Sequence, residues 1–596
     1  MVKLNQIFQN ITYMFKAMWN FSKILFWGKF LIAVLNGIIA PLNAYIVKIL
    51  IECITQNNWN ASLIIIGIIA AINLLNGCLL AYIQKKLGVI SDLFKNYLVF
   101  EFNSKIANMD YEILYDPIMI QKKDMALKAI QGGRATNYLD ITFSCVSSLV
   151  SLISIIYLLS SFSWWVFLII LVLCTIRIVT VVIDKKRTFN TSVEMAPLNT
   201  EISYYMNMLT DEAYVNDIRM FSISGWVIQK YKKCVDRSHA LLKNLLDQVY
   251  KSSLIRNFLS VLETAFLYFF SALQMIFYGM SFANFTLVTS TLRTFSDSIT
   301  NMTQSLINMG ENSVYVQIYR QFMNVPNVIA IPGKGISAKA LCLSDLVFEL
   351  KNVYFKYPGV DEMALENVDL RISRGNFYVV VGKNGAGKTT LIKLLCRLYD
   401  VTNGMLMYMN TDVRDIEYRS YRDNIGVVFQ DYKYYCLSIA ENVAMNEYND
   451  SIETQNKIID ALNRAGLGEK ISTLPKGIHT QLGKIFDHEG ILLSGGELQK
   501  LALARVLFKN PPIVFLDEPS SALDAFAENE LIETFNSALK GKTVIYISHR
   551  LSVAKYADKV IYIANKSIEG FDTHENLIKT SASYKEMYDA QAMHYQ

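Results

Sequence analysis

The chain has 596 residues, 52% hydrophobic and 18% charged, with a formal net charge of +5. A chain this long holds more than one domain, and a charged share below the roughly 25% of ordinary soluble proteins points to a membrane. So small a net charge gives no case for a nucleic-acid partner. The eight cysteines lack metal-ligand spacing and read as buried reduced thiols rather than a disulfide framework.

Residues 1–23 place Leu4, Ile7, Phe8, Ile11, Met14, Phe15, Met18 and Trp19 at helical period, interleaved with Lys3, Lys16 and Lys23. No small-residue cleavage site precedes the first apolar run, so this is not a removable signal. It predicts an amphipathic helix on the cytoplasmic surface of the lipid bilayer. Residues 24–324 then read as an α-helical transmembrane domain with six spans, at about 24–51, 61–83, 139–160, 163–184, 255–279 and 281–307. Each reaches the roughly 20 residues that cross a bilayer. Lysine and arginine are missing from the short connections and concentrated in the long ones. The positive-inside rule therefore puts both termini on the cytoplasmic side of the plasma membrane.

The stretches 84–138 and 185–254 are too polar to insert yet keep a helical pattern, so the spans are expected to run on into the cytoplasm. A short helix would join each pair, near Asp110–Pro117 and near Leu209–Phe221. Glu263, Arg293 and Asp297 sit inside the last two spans. Charges at membrane depth face a cavity or a partner, which makes these three candidates for a substrate cavity. Arg293 and Asp297 are also spaced to pair along one helix face. The serines, threonines and asparagines around the sixth span fit either a polar pathway or close helix packing.

A linker at 325–343, with Pro326, Pro332, Gly333 and Gly335, leads to an α/β domain at 344–596. Leu346–Leu350 and Val353–Tyr357 read as two strands. Tyr357, just before Pro358-Gly359, can stack on a purine ring or simply end its strand. The apolar run Phe377–Val381 precedes Gly382-Lys383-Asn384-Gly385-Ala386-Gly387-Lys388-Thr389-Thr390, and Leu391–Leu395 follows. This is strand, glycine-rich loop and helix, fitting G-x-x-x-x-G-K-[ST]. The glycines let successive N–H groups point at one phosphate, and the helix start adds its positive dipole end. Lys388 supplies charge for the β/γ-phosphates and Thr389 a hydroxyl for Mg²⁺. Together they predict a nucleoside triphosphate and Mg²⁺ as ligands.

Gln430 ends the run Ile425–Phe429, where a glutamine can reach a metal or a water. Leu493-Ser494-Gly495-Gly496-Glu497 opens a helix and offers a second anion site. The buried run Ile513–Leu516 ends in Asp517, placed to hold Mg²⁺, and Glu518, placed to polarise a water for attack on the γ-phosphate. A further buried run, Thr543–Ser548, ends in His549.

In this order these motifs resemble the ATPase domain of ATP-binding cassette (ABC) proteins. Six spans ahead of one such domain resemble an exporter half-transporter. The resemblance implies that Tyr357 stacks adenine, Gln430 contacts the metal, Ser494–Gly496 is the signature motif, and His549 is the switch histidine. It also implies that Ser521-Ala522-Leu523-Asp524 forms the loop crossing between subunits. In that family the signature of one domain closes over ATP on the phosphate loop of another, so a dimer is implied. With Lys388, Ser494, Glu518 and His549 all present, a homodimer suffices. Asp116-Pro117 and Asp217–Phe221 resemble the coupling regions.

Two departures stand out. Glu497 replaces the more usual glutamine, and Met405–Asp412 lacks a glycine often found there. The stretches Leu482–Gly490 and Leu498–Arg505 resemble exporters of lantibiotics and other ribosomally made peptides, without a cysteine-protease domain ahead of the spans. The expected function is ATP-driven export by alternating access, with a peptide as the leading cargo. A lipid or hydrophobic drug is the alternative cargo. An ATP-gated channel or regulatory membrane protein is the alternative of another class.

Overall fold

The computed structural model describes residues 4–159, 164–329, 335–341, 344–448, 450–519, 525–548 and 550–592. Two compact units emerge, one of Met1–Lys105 with Gln121–Val325, the other of Ile106–Ile120 with Pro326–Gln596. The second unit thus takes in residues 106–120, which the sequence alone assigns to the membrane half. The reason is local. The Asp110 carboxylate accepts the backbone N–H groups of Val328 (2.5 Å) and Ile329 (2.9 Å), and the Tyr111 ring lies against Tyr399.

Up to residue 323 the described chain is helical. It forms α1 (Leu4–Phe21), α2 (Lys23–Thr55), α3 (Trp59–Ala107), α4 (Tyr111–Tyr115) and α5 (Pro117–Gln131). It continues with α6 (Arg134–Leu159), α7 (Trp164–Thr210), α8 (Glu212–Met220), α9 (Ser224–Tyr278) and α10 (Phe282–Met323). Asp116 is extended and Pro117 occupies the first turn of α5, which separates α4 from α5. Gly279, left-handed at φ +67°, ends α9, and the Ser281 hydroxyl caps α10.

Among the described residues α2, α3, α6 and α9 are long and apolar enough to cross a membrane. The connection expected at Ser160–Ser163 lies outside the described residues. α3 continues for 49 residues and α9 for 55, longer than a bilayer requires.

In the first unit α1 does more than cover a surface. Its Met14 and Met18 are fully buried, and Asn10 donates to the Ser313 hydroxyl (2.8 Å) and carbonyl (3.0 Å) on α10. α6 and α10 meet through small polar residues: Ser151 bonds Ser298 (2.9 Å) and Ser305 bonds Ser144 (3.3 Å). For these serines, close packing is the arrangement found. α2 approaches α6 at Gly37, where a Cβ would lie 2.6 Å from the Ser147 carbonyl oxygen.

The second unit holds two sheets. The smaller has the order β2-β1-β4-β5, from β1 (Leu346–Phe355), β2 (Leu365–Ser373), β4 (Asn403–Tyr408) and β5 (Thr411–Asp412). The two strands expected between Leu346 and Tyr357 are one, β1. Asn352, left-handed at φ +47°, bulges it without ending it, and its N–H is held by the Asp369 carboxylate. The turn that lacks a glycine is made by Met409 and Asn410, both at positive φ.

The larger sheet has the order β10-β9-β3-β8-β7-β6. It comprises β3 (Phe377–Val381), β6 (Ile425–Val428), β7 (Ile513–Asp517), β8 (Thr543–Ile547), β9 (Lys559–Ala564) and β10 (Ser567–Asp572). All pairs are parallel except that of β10 with β9. Both faces are covered. Val379, Val381, Val514, Leu516, Val544 and Tyr546 enter one core; Tyr378, Val380, Ile513, Phe515, Ile545 and Ile547 enter the other. That two-sided burial is why these strands are unbroken apolar runs. Parallel pairing brings the C-terminal ends of β3, β6, β7 and β8 to one edge, where α/β sheets bind ligands.

Candidate functional site

The site grows from that edge. β3 ends at Val381 and the chain turns at Gly382, where a Cβ would lie 2.1 Å from the Ile563 carbonyl oxygen on β9. At Gly387, φ is +108° and a Cβ would meet Leu365 Cδ2 at 2.6 Å. Only glycine lets the loop pass between β9 and β2. The helix Lys388–Leu395 starts at once. Lys388 Nζ donates to the carbonyl oxygens of Gly382 (2.9 Å) and Lys383 (3.0 Å), so the loop curls around the ammonium. Lys388 is 5% exposed. Burial pulls its pKa below the usual lysine value, against the opposing pull of Glu518 and Asp517.

β7 delivers the acids. Asp517 is buried, and burial first, then the neighbouring Glu518 charge, pushes its carboxyl up to about 6. Its Oδ1 accepts from the Thr389 hydroxyl at 3.4 Å. Glu518 is also buried and sits at φ +49°, a left-handed turn that aims its carboxylate off the strand axis. Gln430, just past β6, donates Nε2 to Glu518 Oε2 at 3.0 Å.

Lys388, Thr389, Gln430 and Glu518 converge on a cavity of about 500 Å³ that Tyr357, Asn384 and Lys566 also line, whereas Asp517 lines a second cavity together with Thr389 and Gln430. Tyr357 bonds the Thr390 hydroxyl at 3.0 Å. A hydroxyl, a carboxylate and an amide side by side make a hard-oxygen donor set suited to Mg²⁺. A bound cation would also relieve the cost of ionising buried Asp517.

Ser494 caps the helix Gly495–Lys509 in a capping box. Its N–H donates to Glu497 Oε2 (2.8 Å), and its hydroxyl accepts from the Glu497 N–H (3.4 Å). Lys470 lies 3.4 Å from Glu497 Oε1. The Ser494 N–H bond is the main reason the Glu497 carboxyl titrates below the usual glutamate value. Ser494 and Gly495 are exposed, and none of Ser494, Gly495, Gly496 or Glu497 lines the Lys388 cavity. His549 and Ser521–Asp524 lie outside the described residues.

In the first unit Glu263 is 3% exposed and accepts from Arg177 (2.9 Å), which also donates to Ser296 (3.0 Å). The spacing predicts Arg293 with Asp297; instead both are exposed and, among the described residues, make no ion pair with each other. The buried acid found its partner on another helix. Sequence reasoning passed over Arg177, whose one signal is being the lone charge between Trp164 and Ile183, inside the fourth apolar run. It also passed over Lys566, which reaches the cavity from the turn between β9 and β10 and pairs with Glu362 at 2.7 Å. Asn565 and Lys566, both at positive φ, are the hairpin signal that could have located it.

Comparison with known proteins places this geometry. The ABC transporter family model matches residues 365–521. The subtilin transport ATP-binding protein SpaT of Bacillus subtilis is 27% identical over 97% of this chain and 93% of its own length. The putative multidrug export ATP-binding/permease protein YgaD of Bacillus subtilis (strain 168) is 35% identical over 50% of this chain and 49% of its own length. A bacterial Atm1-family ABC exporter with ATP bound superposes with a TM-score of 0.79, at 19% identity, over 94% of this chain and 97% of that one. That last likeness is one of fold.

Proposed function

We propose that this chain, whose residues 365–521 match the ABC transporter model, is an ABC exporter that moves a peptide across the cytoplasmic membrane, driven by ATP held between two copies of the chain. One observation carries the two-copy motor: the capped, exposed helix start at Ser494 stands apart from the cavity that holds Lys388. Each half of the site needs a complement that a second chain supplies by two-fold symmetry. For cargo, the support is the reach of the likeness. The subtilin transporter matches through the membrane half, whereas the multidrug relative matches over half the chain.

In this reading Tyr357 docks the adenine base. The loop N–H groups and Lys388 bind the phosphates, and Ser494 of the second copy caps the γ-phosphate. Thr389, Asp517 and Gln430 hold Mg²⁺, which when bound neutralises phosphate charge. Glu518 orients water and takes its proton; the bond from Gln430 keeps that carboxylate aimed into the cavity. His549 and Asp524 are assigned by resemblance to the γ-phosphate and to the loop between subunits. In the membrane half, exposed Arg293 and Asp297 face cargo rather than lipid, while Glu263 is held in its buried pair with Arg177.

The test uses the full chain in inverted vesicles. Glu518→Gln is expected to cut ATP turnover by about 100-fold or more while ATP stays bound; near-normal turnover would remove the role of Glu518. A panel of peptides, lipids and drugs is then screened for stimulated ATPase and ATP-dependent uptake. Accumulation of a peptide above its outside concentration supports the reading. Stimulation by lipids or drugs alone overturns the cargo, and equilibration without accumulation points to a channel.

A further inference from the structure

A line of aromatic rings crosses the second unit. Tyr115 stacks on Tyr111 with centroids 4.4 Å apart. Tyr111 meets Tyr399 edge-on at 5.5 Å, and Tyr399 meets Tyr357 edge-on at 5.4 Å. Phe355 braces the far end, 5.5 Å from Tyr399 and 5.0 Å from Tyr357. Tyr399 is the node: it is 4% exposed and touches three of the other four rings.

The two ends of the line face different things. Of these rings, Tyr357 lines the 500 Å³ cavity. Its hydroxyl bonds Thr390, and the Lys393 ammonium sits 5.5 Å over its ring, both on the helix that follows the phosphate loop. At the other end Tyr111 and Tyr115 belong to α4, the segment that joins α3 to α5 and α6 in the chain. Both also line a second cavity, of about 1080 Å³, whose wall includes Thr389, Gln430 and Asp517.

The contacts fix direction as well as distance. Interplanar angles of 86° and 89° on either side of Tyr399 are edge-to-face geometries, which lose their electrostatic gain if one ring tilts alone. A close-packed interior passes such a displacement on rather than absorbing it. Burial pushes the Tyr399 phenol up to about 12, so the node stays an uncharged ring at neutral pH. Tyr399 does not line the 500 Å³ cavity itself but contacts Tyr357, which does.

We propose that Tyr399 is a positioning residue that ties the docking of a purine base on Tyr357 to the placement of α4. This rests on the reading of Tyr357 as the base-stacking ring.

Hydrogen–deuterium exchange over residues 106–120 of the full-length protein tests it, with Mg-ATP and inorganic tripolyphosphate as probes. Mg-ATP is expected to slow exchange in that segment and tripolyphosphate, which lacks the base, is not. Tyr399→Leu is expected to abolish the ATP-dependent protection. It should also raise the KM for ATP by about 3- to 10-fold while kcat changes by less than about 2-fold. Tyr399→Phe, which keeps the ring, restores both. Retained protection in Tyr399→Leu, equal protection by tripolyphosphate, or failure of phenylalanine to rescue overturns the proposal. If Tyr399→Leu does not fold, Tyr111→Leu cuts the same line one ring further on and is read in the same way. Tyr357→Ala separates the two ideas. An unchanged KM there sinks the base-stacking role itself, whereas a raised KM beside an inert Tyr399→Leu sinks the ring line alone.

Discussion

Glu497 occupies a position where glutamine is more usual, and the capping box accounts for its tolerance. Either a carboxylate or an amide at the third helical position can accept the Ser494 N–H. The charge is what differs. A carboxylate in the first turn opposes the positive helix end that a γ-phosphate would use. Glu497→Gln is therefore expected to lower the ATP concentration for half-maximal turnover by about 2- to 5-fold, an effect that fades in high salt. Fold stability should fall slightly at neutral pH, because the amide keeps the cap bond but loses the charge that Lys470 and the helix start favour. Glu497→Ala behaves differently. Because the folded-state pKa of Glu497 lies below the ordinary value, its contribution is present above that value and lost as pH falls through the folded pKa. Melts should show Glu497→Ala less stable by about 1 kcal/mol at pH 7, with the gap closing in acid. A gap that widens in acid would contradict the cap. Residues such as Lys388, Asp517 and Glu518 could be picked out as candidates because a phosphate-binding role asks for those types in that order along the chain. Arg177 was not, because its partner Glu263 lies 86 positions away and no spacing rule connects them.

At the scale of elements, α2–α6 and α6–α10 are held by different means. At Gly37 an added Cβ would sit 2.6 Å from the Ser147 carbonyl oxygen and 2.8 Å from Val150 Cβ, both fixed parts of α6. Ser298 contributes a single 2.9 Å hydrogen bond to Ser151. Interhelical hydrogen bonds in membranes average only about 0.6 kcal/mol, so close approach of backbones should dominate. Gly37→Leu is expected to lower the melting temperature in detergent well beyond Ser298→Ala, which should stay near the parent. The reverse order would show that hydrogen bonds rather than backbone proximity hold this bundle. The apolar helices themselves were readable from their sequence pattern, and α3 and α9, at 49 and 55 residues, are longer than a bilayer requires. The membership of α4 was not, because it depends on Asp110 meeting the backbone of Val328 and Ile329 more than 200 residues later. Nor was the continuity of β1, since a left-handed asparagine reads as a turn until Asp369 is seen holding its N–H.

For the whole molecule, the decisive question is whether one chain can complete a site. Lys388 stands at the mouth of β3, and Ser494 stands at the exposed start of a helix none of whose residues lines the Lys388 cavity. If the site forms between chains, two dead variants can repair each other. Lys388→Ala alone and Ser494→Arg alone should each lose turnover, because every site in either homodimer lacks one half. Mixed before assembly, half of the dimers contain one chain of each kind. In those, the intact phosphate loop of the Ser494→Arg chain faces the intact signature of the Lys388→Ala chain. The other site carries both defects. About a quarter of the parent activity should return, on two-fold symmetry with random pairing and independent sites. A site built within one chain predicts no recovery at any mixing ratio, because neither variant then carries a complete set of groups. Recovery that rises and falls with the product of the two chain fractions would place Lys388 and Ser494 on opposite sides of one interface. It would also make the second copy part of the catalytic machinery.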